Sequence, residues 1–143
     1  MIVTNSHETR VRVRYEETDQ MGVVYYANYL VWFEVGRTEF MRQLGLTYRE
    51  FEKSNLYLPV LKAYCEYKQP ARYDDELSIM TSLESIHNVR IIFNYKIKKT
   101  GQLLAFGYTE HAFINDAGRP VILRKSSPFL WNRLCLALEK LSE

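Results

Sequence analysis

The feature that most constrains the fold is one apolar helical segment, placed ahead of a long run of segments with a period of two. From Tyr29 to Leu44 the apolar residues recur at helical spacing and cover most sides of the predicted helix. Such a helix is expected to be enclosed by other elements rather than to lie on a surface. Gly36 costs about 1 kcal/mol there relative to alanine, which predicts close approach of another backbone. The predicted inward stripe consists of Leu30, Phe33, Phe40 and Leu44.

Segments on both sides of this helix alternate between apolar and polar residues, which predicts β-strands with one buried face. A first strand is expected at residues 10–15, and it places Val11, Val13 and Tyr15 on the inward face. Four further strands are expected after the helix, at residues 61–67, 77–83, 89–97 and 103–115. This order predicts an α+β domain in which an antiparallel sheet wraps around one apolar helix.

Capping signals predict where the helices begin and end. Gly45 is expected to end the long helix. Thr47 is expected to cap a short second helix that runs to Ser54, with Glu50 completing a capping box. Ser127 followed by Pro128 indicates an N-cap and a first helical position. The final helix is expected to turn four leucines inward, at positions 130, 134, 138 and 141.

The composition bounds the class of protein. The 143 residues predict one domain over positions 1–143, because no linker, repeat or low-complexity tract interrupts the pattern. The net charge of +2 is too close to neutral to indicate a nucleic-acid partner. No run approaches the roughly 20 apolar residues of a membrane span, and residues 1–8 lack the features of a signal peptide. Cys65 and Cys135 are expected to be reduced thiols, so we expect a cytoplasmic protein.

Asp19 is the first candidate for chemistry, because it precedes a glycine turn that leads into the apolar helix. A helix start offers free backbone N–H groups and the positive end of a dipole, which stabilise an oxyanion. A carboxylate beside it is able to act as a base or a nucleophile in acyl transfer. The alternative is a structural turn residue. The apolar neighbours Met21, Val23 and Val24 favour the functional role, since solvated turns seldom carry such residues.

Other polar and aromatic residues near this turn have two interpretations each. Tyr25 and Tyr26 are either core aromatics, or one ring lines an acyl pocket while the backbone N–H of Tyr26 meets a carbonyl. Asn28 is a possible helix cap. His111 lies in a predicted strand and is expected to be a packed residue with its bonds satisfied. The histidines and cysteines show no metal-ligand spacing, so no metal is expected.

One basic cluster lies near the end of the chain, and its members are Arg119, Arg124 and Lys125. The cluster is either an ordinary solvent-exposed edge or a binding site for the phosphates of coenzyme A, which arginine and lysine are suited to bind. The sequence leaves both interpretations open.

The pattern Asp19-x-x-Gly22-Val23-Val24-Tyr25-x-x-x-Tyr29 resembles the signature of the 4-hydroxybenzoyl-CoA thioesterase family, which includes acyl-CoA thioesterases associated with the Tol-Pal system. Matches at residues 70–75 and 118–120 support it, and the resemblance covers about residues 9–130. It implies a hotdog fold, in which a five-stranded antiparallel sheet wraps around a long central helix. It also implies homodimers that pair into homotetramers, with acyl sites at the subunit interface.

The same resemblance implies a thioesterase that hydrolyses a short-chain or aromatic acyl-CoA. Asp19 is then the catalytic nucleophile or general base, and Tyr26 supplies the oxyanion N–H. The substrate-binding residues expected from the motif are Gly22, Val24 and Tyr25. Coenzyme A contacts vary within the family, so Arg119, Arg124 and Lys125 are candidates from the basic cluster and not from the resemblance. No cofactor is expected, because coenzyme A is part of the substrate. Many Tol-Pal-associated relatives have histidine where this chain has Tyr26, which leaves the substrate open.

Several alternatives remain open at this stage. The acyl group is not fixed, and the carrier is either coenzyme A or an acyl carrier protein. A non-catalytic hotdog module that binds an acyl ligand or a partner is the main alternative to an enzyme. A hotdog dehydratase is disfavoured, because no histidine lies near the predicted helix start.

Overall fold

The computed structural model describes residues 2–3, 6–138 and 141–142. Its strands are Ile2–Val3 (β1), His7–Arg12 (β2), Val60–Tyr67 (β3), Glu76–Ile86 (β4), Arg90–Lys99 (β5), Gln102–Ala112 (β6) and Leu141–Ser142 (β7). Its helices are Asn28–Gln43 (α1), Tyr48–Lys53 (α2), Leu123–Ser126 (α3) and Pro128–Leu138 (α4). None of the helices formed by these residues is both long enough and apolar enough to cross a membrane.

Five strands form one antiparallel sheet in the order β2–β4–β5–β6–β3, and the predicted α+β hotdog arrangement is therefore confirmed. β1 and β7 pair separately as a short two-stranded sheet. Alternate residues of β4 and β5 are buried, as the period of two predicts. Thr100 and Gly101 close the β5–β6 hairpin with positive φ angles of 45° and 84°. A turn of this kind fits the twist of the two strands that it joins.

The long helix α1 lies against the inner face of this sheet, where it packs mainly on β2 and β4. Phe33 and Phe40 are buried as predicted, but Leu30 is 40% exposed because it faces away from the sheet near the helix start. Gly36 explains the close approach. A Cβ at this position would lie 2.4 Å from Thr81 Oγ1 and 2.7 Å from Ile79 Cγ2. The approaching group is thus a pair of β4 side chains rather than a second backbone.

The first strand ends earlier than predicted. Val13 is buried, but Tyr15 is 78% exposed and begins a short 3-10 turn. The Glu17 carboxylate accepts a hydrogen bond from the Arg14 backbone N–H at 2.7 Å, and this bond turns the chain away from the sheet. The prediction that Tyr15 lies on the inward face of the first strand was therefore wrong.

The helix ends agree with the capping signals, with one exception. Thr47 Oγ1 accepts from the Glu50 N–H at 3.2 Å, and Gly45 has a φ of 80°. α4 begins at Pro128, and its Leu130 and Leu134 are buried. It ends at Leu138, however, so the prediction that position 141 continues this helix was wrong. Leu141 pairs with Val3 instead, as part of the small sheet.

A buried polar cluster links α1 to the sheet, and its members are Arg37, Tyr48, Tyr95, Thr109 and His111. Arg37 Nε donates to Tyr48 Oη at 2.8 Å, and Nη1 donates to Tyr95 Oη at 3.1 Å. Thr109 Oγ1 lies 2.5 Å from Tyr95 Oη and 2.8 Å from His111 Nε2. His111 is thus a packed residue with bonded ring nitrogens, as the sequence indicated.

Candidate active site

The segment that carries Asp19 folds back on itself as a tight turn. Thr18 and Val24 form an antiparallel bridge across it. The Asp19 N–H donates to Val23 O, and the Gly22 N–H donates to Asp19 O, both at 2.9 Å. Gly22 has a φ of 80°, a left-handed conformation that glycine adopts without steric cost. The glycine of the motif therefore fixes the turn that positions the carboxylate.

The Asp19 side chain is half-buried, and one of its two carboxylate oxygens accepts a hydrogen bond. Its Oδ1 accepts a hydrogen bond from the Met21 N–H at 2.9 Å. Within the described part of the chain, Oδ2 accepts no hydrogen bond. One oxygen thus orients the carboxylate, while the other is left for a ligand or a water molecule.

Asp19 lines an open cleft of about 310 Å³. Most of the lining is apolar or aromatic, and the residues that form it are Asp19, Met21, Val23, Val24, Tyr26, Tyr29, Tyr67, Lys68, Gln69 and Pro70. The turn and the start of α1 supply one wall. The end of β3 and the loop after it supply the other, so two segments far apart in sequence line the open cleft beside the carboxylate.

The start of α1 is anchored to the preceding turn. The Tyr25 N–H and the Asn28 side-chain amide both donate to Glu17 O at 2.9 Å. Ala27, not Asn28, occupies the cap position. The backbone N–H groups of Tyr26 and Ala27, which follow Tyr25 in the chain, have no acceptor among residues 6–138. Unpaired amides at the positive end of a helix are the donors that an oxyanion needs.

Four tyrosines pack around the cleft. The Tyr29 and Tyr67 rings meet edge to face at 5.0 Å, and Tyr25 lies 4.8 Å from Tyr26. The Tyr67 hydroxyl donates to Tyr26 O at 3.0 Å, and Tyr29 Oη accepts from the Ala71 N–H at 3.2 Å. Burial raises the pKa of both Tyr29 and Tyr67. A hydrogen bond with Tyr26 raises the pKa of Tyr25. These phenols are therefore neutral at physiological pH.

The structure brings some of the predicted site residues together and leaves others apart. Asp19, Val24 and Tyr26 share the cleft, while Gly22 shapes its turn. The Tyr25 ring packs on Tyr26 and is not part of the lining. The basic residues lie elsewhere within the described chain, with Arg119 after the turn at 115–118 and both Arg124 and Lys125 on α3.

Sequence reasoning missed the second wall of the cleft. Tyr67, Lys68, Gln69 and Pro70 come from the end of β3 and the loop that follows. The sequence predicts a strand at residues 61–67, but it does not predict that the Tyr67 hydroxyl bonds to Tyr26, which precedes α1 and is 41 residues away in sequence. The Pro70-Ala71 match was the available signal, because the Ala71 carbonyl and N–H hold Val24 and Tyr29.

Comparisons with known proteins converge on one family. The sequence model of the thioesterase-like superfamily matches residues 13–134. The candidate acyl-CoA thioesterase YneP of Bacillus subtilis is 37% identical over 120 residues, which are 82% of this chain and 87% of that protein. The acyl-CoA thioesterase YbgC of Haemophilus influenzae is 33% identical over 105 residues, 73% of this chain and 77% of that protein. The structure of a DHNA-CoA thioesterase from Staphylococcus aureus superposes with a TM-score of 0.89 at 31% identity, covering 93% of this chain and 91% of that one.

Proposed function

The chain belongs to the thioesterase-like superfamily, and we propose that it is an acyl-CoA thioesterase that hydrolyses a short-chain or aromatic acyl-CoA. The observation that carries the proposal is the shared cleft of Asp19 and Tyr26 at the start of α1. The relatives named as acyl-CoA thioesterases support the reaction class.

In the proposed complex the thioester carbonyl lies against the N–H of Tyr26. This amide has no acceptor within the described chain, so it is available to bind the oxygen as negative charge develops there. The dipole of a 16-residue helix adds to the stabilisation. Donors that are already in place cost no reorganisation during the reaction.

Asp19 has two possible roles in this site. As a general base, its Oδ2 takes a proton from water, and the hydroxide adds to the carbonyl carbon. As a nucleophile, Oδ2 itself adds and forms an acyl-aspartyl anhydride, which water then hydrolyses. In both routes the C–S bond breaks, the thiolate of the carrier leaves and is protonated, and a carboxylic acid forms. The hydrogen bond from the Met21 N–H supports either role, because it orients the carboxylate.

The lining of the cleft supports an aromatic or other apolar acyl group. Tyr26, Tyr29 and Tyr67 offer ring faces and edges to a planar acyl group. Coenzyme A is the proposed carrier, and an acyl carrier protein is the alternative.

We also propose that the enzyme is a homodimer that pairs into a homotetramer in the cytoplasm. β3 is an edge strand that pairs only with β6 in the described sheet, and its Val60, Leu61 and Tyr64 are exposed. A second copy would cover this edge. Arg119, Arg124 and Lys125 are then proposed to reach the phosphates of coenzyme A from across an interface. Reduced Cys65 fits a reducing compartment.

Hydrolysis of a panel of acyl-CoAs by the wild type and by Asp19→Asn tests the proposal. The asparagine oxygen still accepts from the Met21 N–H but is neither basic nor nucleophilic. We expect kcat to fall by about 10²–10³ or more, with an unchanged circular dichroism spectrum. Asp116→Asn is the matched control, because Asp116 is exposed in a remote turn. Equal turnover by wild type and Asp19→Asn would reject the assignment.

The same panel separates the enzyme from the alternative. Saturable binding of acyl-CoAs by the wild type, without turnover above background for any chain length or aromatic group, would indicate a non-catalytic acyl-ligand or partner-binding module.

A further inference from the structure

Tyr67 ends the edge strand β3 and lines the same cleft as Asp19. Its hydroxyl donates a hydrogen bond to Tyr26 O at 3.0 Å. This contact ties the end of the sheet to the start of α1 across the cleft. It joins two segments that the proposed reaction needs in a fixed relation.

The carbonyl that Tyr67 binds belongs to a peptide at the helix start. Tyr26 O also accepts from the Tyr29 N–H at 3.2 Å, so this peptide is held from the helix and from the sheet at once. The same peptide carries the N–H of Ala27, which has no acceptor among residues 6–138. A hydrogen bond to a carbonyl polarises its peptide and strengthens the N–H on the other side as a donor.

Two other roles for Tyr67 are less consistent with these contacts. Ring packing alone would be satisfied by its edge-on contacts with Tyr29 at 5.0 Å and Tyr26 at 6.4 Å, and it would not require a hydroxyl. A proton donor to the leaving thiolate would need a free hydroxyl proton. In this structure the hydroxyl is already engaged, with Tyr26 O at 3.0 Å and the Cys65 side chain as its neighbours.

We propose that Tyr67 is a positioning residue, whose hydroxyl fixes and polarises the Tyr26–Ala27 peptide that receives the thioester carbonyl. The inference rests on the proposed function, and it adds Ala27 N–H to the oxyanion donors. The orientation of the Ala27 N–H then depends on Tyr67, the last residue of β3.

Tyr67→Phe is the test, because it removes one oxygen and keeps the ring. We expect kcat to fall about 3- to 10-fold, the worth of one hydrogen bond, while KM stays within about twofold. Tyr73→Phe is the matched control. Tyr73 is 58% exposed, its ring contacts Tyr15 outside the cleft, and it is not on β3, so loss of its hydroxyl is expected to leave kcat unchanged.

A second measurement does not depend on turnover. In ¹⁵N–¹H spectra of the ligand-free protein, we expect the Ala27 amide proton to move upfield in Tyr67→Phe and to stay in place in Tyr73→Phe. An unmoved Ala27 resonance together with unchanged kcat would overturn the inference. If the wild type hydrolyses no substrate, the proposed function fails, and the Ala27 resonance still decides whether Tyr67 positions the peptide.

The pH profile distinguishes positioning from proton donation. A positioning role lowers kcat of Tyr67→Phe by the same factor at every pH. Loss of an alkaline limb in that variant would assign Tyr67 as the proton donor and would contradict the proposal.

Discussion

His111 shows how one buried side chain ties folding to pH. It is 1% exposed, and its ring nitrogens contact Leu58 O at 3.0 Å and Thr109 Oγ1 at 2.8 Å. Burial lowers the pKa of His111 to about 4, the bond to Leu58 O opposes this, and the nearby Arg37 charge lowers it further. The folded protein therefore holds a neutral imidazole where the unfolded chain takes up a proton more readily.

We expect the free energy of unfolding to fall as the pH decreases from about 6.5 towards 4. The folded pKa is below the unfolded value of 6.5, so this contribution is fully present above pH 6.5. The loss attributable to His111 is at most about 3.4 kcal/mol, from 1.36 kcal/mol for each pH unit between 6.5 and about 4. Urea unfolding at pH 7 and at pH 4.5 measures it. His111→Gln should flatten the slope relative to wild type, whereas the exposed His87→Gln should not; equal slopes would contradict the assignment.

The cleft that forms the candidate site was predictable from sequence only where its residues are close in sequence. Asp19, Gly22 and Tyr26 fall within one turn and one helix start, whose geometry follows from glycine and from the periodicity after it. Tyr67 was not predictable in the same way, because its bond to Tyr26 spans 41 residues. Local patterns predict whether a segment is a helix, a strand or a turn. Which segments face each other across the cleft depends on the strand order of the sheet.

Among the elements, α2 is the one whose existence depends most on its cap. It has only six residues, and short helices are marginal without tertiary contacts. Thr47 caps it, Phe51 is buried, and Tyr48 accepts a hydrogen bond from the buried Arg37 at 2.8 Å. The cap therefore supports the helix that carries Tyr48 into the buried polar cluster.

We expect Thr47→Ala to lower the free energy of unfolding by about 1 kcal/mol, because the Glu50 N–H loses its acceptor. Thr47→Ser keeps the hydroxyl and should stay within about 0.5 kcal/mol of wild type. Urea titration with fluorescence detection measures both. A destabilisation as large in the serine variant as in the alanine variant would show that the hydroxyl is not what matters.

The helices were more predictable than the edge strand. Helical spacing and Gly45 located α1 to within a residue at each end. β3 shows the same alternation as β4, yet Leu61 is 46% exposed, since α1 packs mainly on β2 and β4. Alternation reports which residues share a face. It does not report whether anything covers that face.

On the scale of the whole molecule, β3 is the clearest candidate for an interface. It exposes Val60, Leu61, Tyr64 and Tyr67, beside backbone groups on its outer edge. The strand order is the part of the fold that sequence left open, because β3 comes second in the sheet's sequence order but lies at its far edge beside β6. A contiguous apolar edge of this kind indicates association.

We expect the wild type to be at least dimeric at micromolar concentration and Leu61→Lys to weaken the dimer at least about tenfold, because a charged edge residue deters strand pairing. Analytical ultracentrifugation measures the dissociation constant. Leu136→Lys is the matched control, since Leu136 is 60% exposed on α4 and away from β3. A monomeric wild type, or equal dissociation constants for both variants, would refute the β3 interface.

The contact between Tyr29 and Trp32 couples the wall of the cleft to an indole that solvent does not reach. The two rings are 5.3 Å apart, and Trp32 is 2% exposed. The chain has two tryptophans, and the second, Trp131, lies on α4. Replacing Trp131 with phenylalanine leaves Trp32, next to the cleft, as the single tryptophan of the chain. Arrival of a ligand against Tyr29 then registers as a change in intrinsic fluorescence, without a label and before any bond is broken.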